Sequence, residues 1–288
     1  MNERPISVAI AKAREILNHW SITEPREINV EDIASEMCLL VTEQEIAGAV
    51  AKLVCTSEVG VISVKAGIRE PGKKRFAIAH EIGHFVLHKV RERIAFCTDK
   101  DFQDWYSHSP DESEANAFAA ELLMPAEMFR QRCTAKEPNL TEITELADEF
   151  QTSLSATALR YVEVGKHPCA IVASKDGKIF WMSISKSFPH RILPRGTKLH
   201  EYSCANDFFA TGKVPKVAQS VSGVAWLENL EVAKNCFVYE EVIPLKSYNM
   251  VLSLIWVQHD YSRRRDPDYE RPPYDPEKFT PDGKRYRW

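Results

Sequence analysis

The sequence predicts an α+β chain: a mostly helical first half, a helix-turn-helix-like segment at 136–166, and a β-rich or α/β module at 167–259. Three observations carry this. Apolar residues recur at helical spacing over 6–20, 75–90, 110–124 and 140–165. From Cys169 the texture changes, and short apolar runs bounded by turn residues follow at 170–173, 179–184, 236–242 and 250–257. From Asp260 the chain is rich in Arg, Asp, Tyr and Pro, which predicts a mobile charged tail over 260–288.

Taken in order, 6–20 reads as a first helix and 30–37 as a short second one, with Glu31 and Asp32 suited to its first turn. Residues 43–53 are helical in pattern, and 59–65 alternate like a strand. Pro71-Gly72 reads as a break before the helix at 75–90. A polar stretch, 91–109, leads to the helix at 110–124, and 140–165 divides into two helices around 151–155. Trp181, Trp226 and Trp256 read as core of the later module, whose role the sequence leaves open.

Composition sets limits. The chain has 288 residues, 44% of them apolar and 27% charged, an ordinary globular mixture. A formal net charge of −4 gives no general reason to expect a nucleic-acid or membrane-surface binder. No apolar stretch is long enough to span a bilayer, and the N-terminus has no signal-peptide character. Seven scattered cysteines without a CxxC pair read as free thiols of a reducing cytoplasm.

The chemistry concentrates at His80-Glu81-Ile82-Gly83-His84. Helical residues four apart differ by about 40° and about 6 Å along the axis, so His80 and His84 can grip one metal ion from one side. Glu81 lies about 100° from His80 and about 60° from His84, where it flanks the ion as a general base without being a ligand. Ile78, Ile82, Phe85 and Val86 form an apolar stripe opposite the histidines. Gly83 costs the helix about 1 kcal/mol against alanine, which suggests close approach of a neighbouring backbone or strand. His88 extends the row but lies about 12 Å from His80 along a straight helix, too far to share the ion; it reads as a helix-end residue or one that supports a ligand from behind.

A third ligand must come from elsewhere, and Glu112 is the candidate. Ala115, Asn116, Ala119, Leu122 and Leu123 fall within about 80° of it on a helix, so it stands in a buried stripe where an unpaired carboxylate is costly. Glu114 and Glu121 share the opposite face, and Glu114 reads as solvent-facing. A second role is open to Glu112, because Ser109-Pro110-Asp111-Glu112 is also a capping box with proline at the first helical position.

The run Arg75-Phe76-Ala77-Ile78-Ala79-His80-Glu81-Ile82-Gly83-His84-Phe85, followed by Glu112-x-x-Ala115-Asn116-x-Phe118-Ala119-Ala120-Glu121-Leu122-Leu123-Met124-Pro125, resembles the ImmA/IrrE metallopeptidases. The resemblance covers the chain to about residue 165. It implies a zincin-like (gluzincin) domain over 1–135, with helices packed on a small twisted sheet. It implies metal ligands at His80, His84 and Glu112, and the catalytic glutamate at Glu81. It also implies regulated cleavage of a protein substrate, a helix-turn-helix transcriptional repressor, in a stress or mobile-element response. One Zn2+ per chain suits two imidazoles, a carboxylate and an open position, with Mn2+ or Fe2+ as substitutes. Asn116 is open to two roles, orienting a histidine ligand or packing between helices. Tyr106 and His108 are candidates for stabilising the oxyanion, or plain loop residues.

Direct DNA binding by the segment at 136–166 is disfavoured by charge. Between 141 and 166, Glu142, Glu145, Asp148, Glu149 and Glu163 face only Arg160 and Lys166, a net of −3. These helices are expected to brace the peptidase domain or dock a protein. The competing functional class is a metal-binding regulator that acts by partner binding without proteolysis.

Overall fold

The computed structural model describes residues 3–56, 58–88, 93–97 and 109–257. The oxyanion candidates Tyr106 and His108, and the charged tail at 260–288, lie outside the described residues. Two compact units emerge among them: one holds residues up to 136 together with 141–166, the other 137–140 and 167–257. The fold class is α+β, with a helical first unit and an antiparallel sheet in the second.

The first unit opens with α1 (Glu3–His19), whose Ala9, Ala13 and Leu17 form a buried stripe at helical spacing. Helix α2 (Val30–Glu36) is capped by Asn29, whose side chain accepts from the N–H groups of Glu31 and Asp32. Strands β1 (Leu39–Gln44), β2 (Ala51–Cys55) and β3 (Gly60–Lys65) follow, then α3 (Pro71–Leu87) and β4 (Arg93–Cys97). The sheet order is β1-β3-β2-β4; β1 and β3 are parallel and the other pairs antiparallel. Helices α4 (Pro110–Leu123), α5 (Ala126–Arg132), α6 (Leu140–Phe150) and α7 (Leu154–Val164) complete the series.

Two local expectations change here. Residues 43–53 are not a helix: β1 ends at Gln44, Gly48 takes a left-handed φ of 75°, and β2 begins at Ala51. Alternate Ala51 and Leu53 are buried, and β2 pairs on both sides with β3 and β4, partners that a local periodicity cannot register. Pro71-Gly72 does not precede the helix but starts it. Proline's fixed φ suits the first turn, where no intrahelical N–H bond is lost. Gly72 is there because an added Cβ would lie 2.5 Å from Ser153 N and 2.6 Å from Thr152 C, in the turn between α6 and α7.

Helix α3 is the spine of the unit. Every residue from Arg75 to His84 is buried, so the expected one-sided stripe is in fact an all-round burial, although Phe85 and Val86 are only partly covered. Ala77 packs on Val50 and Ala51 of the sheet side. The Arg75 guanidinium donates to Ile28 O at 2.7 Å, Phe150 O at 3.2 Å and Gln151 Oε1 at 2.5 Å, fixing the start of the helix. On its other side α3 packs against α4, which also packs against α1.

The pair α6–α7 is bound into the same unit. Arg160 is buried and bonds Glu121, Glu163 and the Met124 carbonyl. Lys166 donates to Cys133 O at 2.8 Å. Glu142, also buried, accepts from Thr134 N, Ala135 N and the Tyr161 hydroxyl.

The second unit contains β5 (Cys169–Lys175), β6 (Lys178–Ile184), α8 (Cys204–Thr211), β7 (Gln219–Ser222), α9 (Leu230–Ala233), β8 (Phe237–Leu245) and β9 (Met250–Trp256). The sheet order is β6-β5-β9-β8-β7, antiparallel throughout. Asp176 and Gly177, at φ 50° and 72°, make the two-residue turn between β5 and β6. Buried Glu240 accepts from Cys204 N and Ala205 N at the start of α8. Trp226 is fully buried and Trp256 nearly so, whereas Trp181 is half-buried.

Candidate metal centre

Helix α3 presents His80 and His84 one turn apart, and α4 presents Glu112 from its own first turn. Their ligand atoms converge. The Nε2 atoms of His80 and His84 are 3.0 Å apart, His80 Nε2 lies 3.1 Å from Glu112 Oε2, and His84 Nε2 lies 3.3 Å from Glu112 Oε1. The two rings are edge-on, with centroids 4.7 Å apart. Both histidines are buried, and the Glu112 side chain is 20% exposed.

These three form a possible metal site; among the described residues no other group of His, Cys, Asp or Glu does so. The donor set fits a cation. With bonds of about 2.0–2.1 Å, tetrahedral ligand atoms stand about 3.3 Å apart, close to the three separations found. Two imidazole nitrogens and a carboxylate aimed at one point form an electron-rich cluster that a cation would satisfy. Burial alone would raise the Glu112 carboxyl, but the hydrogen bonds and charges of His80 and His84 hold it well below the usual carboxylate range.

The capping role of Glu112 is not the one it takes. Ser109 stands at the N-cap of α4 but makes no side-chain capping bond, and the Glu112 carboxylate is turned to the histidines. Glu81 is fully buried on the same helical turn as the ligands. Asn116 is also buried, yet its Oδ1 has no hydrogen-bond partner among the described residues, so it is not joined to either histidine through that atom. Glu114 is not solvent-facing: its side chain is 18% exposed, with a carboxylate oxygen 3.9 Å from His88 Nδ1.

Gly83 has the reason its sequence position suggested, with a helix as the neighbour. A Cβ there would meet Phe118 Cδ1 at 3.0 Å, Ala115 Cα at 3.2 Å and Ala115 O at 3.3 Å. The glycine lets α3 and α4 approach closely enough for ligands on both to share one point. Sequence reasoning missed two features: the contact of His88 with Asp111, and the burial of Glu121. Partners 23 and 39 residues away leave no local signal for either.

Residues 35–161 match the family model Peptidase_M78, described as the IrrE N-terminal-like domain. Among solved structures, a Mycobacterium tuberculosis transcriptional regulator has a similar fold. Its TM-score is 0.51 at 14% identity, over 87% of this chain and 76% of that one. No match was found among the curated proteins. The matched segment holds both helices of the metal site, and the chain thus carries at residues 35–161 a metallopeptidase-like domain of the Peptidase_M78, or IrrE N-terminal-like, family.

Proposed function

We propose that this protein is a zinc-dependent endopeptidase of the cytoplasm that makes a regulated, site-specific cut in a protein substrate, a helix-turn-helix transcriptional repressor. The observation that carries the proposal is the convergence of His80, His84 and Glu112 beside the buried carboxylate of Glu81. A bound zinc ion would supply Lewis-acid activation of water and of the scissile carbonyl. His80, His84 and Glu112 are the residues that would hold it. Glu81 takes the proton of the attacking water and returns it to the leaving amine. Its burial keeps that carboxylate in a fixed place with little competing solvent.

The repressor substrate follows from the family resemblance. The likeness in fold to a transcriptional regulator favours a regulatory setting. Of the two bases of the 141–166 segment, Arg160 is buried against Glu121, and exposed Lys166 donates to Cys133 O. This supports α6–α7 as a brace and not a phosphate-facing reader of DNA. No helix among the described residues is long and apolar enough to cross a membrane. The neighbour's description also favours a second reading, a metal-binding regulator that acts by binding its partner without proteolysis.

The test is a proteome-wide survey of new protein N-termini in the native host, wild type against Glu81→Gln, with and without DNA damage. New termini that require Glu81, within a small repressor, are the expected result. If Glu81→Gln binds zinc as the wild type does and neither strain yields distinct termini, the protease reading falls and the partner-binding regulator replaces it.

A further inference from the structure

His88 ends α3. Its backbone N–H returns to His84 O at 3.0 Å, and its φ of −111° and ψ of 50° leave the helical region. Its side chain is 10% exposed, and its ring centroid lies 5.4 Å from that of His84. Nε2 sits 3.2 Å from the carbonyl oxygen of Asp111. A carbonyl oxygen only accepts, so in this bond Nε2 carries the hydrogen and donates it. The bond runs from the helix that holds two ligands to the residue immediately before the third.

That placement matters because Glu112 belongs to the first turn of α4. Helix ends fray, so a ligand carried in a first turn depends on what ties that turn to its neighbours. Metal ligands must nonetheless stand within about 0.2 Å of their proper distances. Gly83 sets the separation of α3 and α4 one turn further along, at Ala115 and Phe118. It does not fasten the turn that carries Glu112.

We propose that His88 is a positioning residue for the metal centre. By donating from Nε2 to the Asp111 carbonyl, it ties the first turn of α4 to the end of α3 and holds the Glu112 carboxylate in reach of His80 and His84. The inference rests on the reading of those three residues as metal ligands. His88 itself does not touch the ion.

The experiment is Co2+ titration, followed by Zn2+ competition against a chromophoric chelator, on the full-length wild type, Glu112→Ala, His88→Ala and His88→Gln. Thermal unfolding of each metal-free protein is recorded alongside. His88→Ala is expected to weaken metal binding about 10-fold and alter the visible cobalt bands, as losses of supporting hydrogen bonds do. His88→Gln, whose side-chain amide can donate to the same carbonyl, is expected to stay within about threefold of wild type. Wild-type affinity in a folded His88→Ala overturns the proposal. So does a folded His88→Gln as weak as the alanine variant, because ring packing would then be what counts. If His88→Ala does not fold, His88→Gln alone decides: near-wild-type affinity upholds the proposal and an about 10-fold loss overturns it. Failure of the wild type to bind metal, or full binding by Glu112→Ala, overturns the ligand reading itself and this inference with it.

Discussion

Replacement of Glu121 by alanine tests how the helical unit is held together. Glu121 is 1% exposed on α4 and sits between two guanidinium groups. Arg160 of α7, with a side chain 3% exposed, bonds one oxygen, and Arg14 of α1 donates to the other at 2.7 Å; Ala126 N also points to the carboxylate, at 3.3 Å. Removing one partner of a buried pair costs about 3–5 kcal/mol, because the remaining charge stays out of water. The lower end applies here, since Arg160 keeps Glu163 at 2.9 Å and Met124 O at 2.9 Å. Arg14 has a side chain 56% exposed and is rehydrated readily, so Arg14→Ala should cost under about 1 kcal/mol. With a urea slope of about 2–3 kcal/mol/M, a loss of about 3 kcal/mol moves the midpoint down by about 1–1.5 M. The assay is urea unfolding followed by far-UV circular dichroism, on the transition that carries most of the helical signal. A shift by Glu121→Ala no larger than that of Arg14→Ala would refute the argument that the buried carboxylate is what joins the three helices.

Three further outcomes follow from packing and burial. Gly72→Ala would set a Cβ 2.5 Å from Ser153 N and 2.6 Å from Thr152 C, both backbone atoms. Overpacking of about 1–3 kcal/mol should exceed the about 1 kcal/mol gained in helix propensity, and a thermal midpoint at or above wild type would contradict this. Burial, with a contribution from the nearby Glu142 charge, pushes the Cys133 thiol from an ordinary 9.0 up to about 12. Iodoacetamide at mildly alkaline pH should therefore label exposed Cys38 and spare Cys133, as peptide mapping would read. A raised folded pKa also fixes a sign: Cys133 favours the fold below pH 9.0 and loses that contribution as pH rises towards about 12. Comparison of wild type with Cys133→Ala should show a smaller loss of stability over that interval in the variant; equal losses would count against the shift.

Much of the site was legible because its chemistry is written into short-range geometry. Helical spacing puts His80 and His84 on one face and Glu81 beside them, wherever the helix goes. The apolar surroundings of Glu112 marked it as a carboxylate in need of a partner. The strands at 169–184 and 237–256 were legible as apolar runs. The four-residue β7 had too little pattern to register.

What lay beyond the sequence depends on partners distant along the chain. Glu112 had two roles open until the fold turned its carboxylate to the histidines and left the Ser109 side chain without a capping bond. Residues 43–53 have a helical apolar spacing, and only pairing with β3 and β4 makes the end of that stretch a strand. Glu121 and Arg160 stand 39 residues apart in the sequence and are buried against each other in the fold. Periodicity therefore determined which residues share a helical face, because that rests on a fixed rotation per residue. Which faces meet, and which charges find each other, was decided by tertiary packing, because those contacts join residues that no local rule relates.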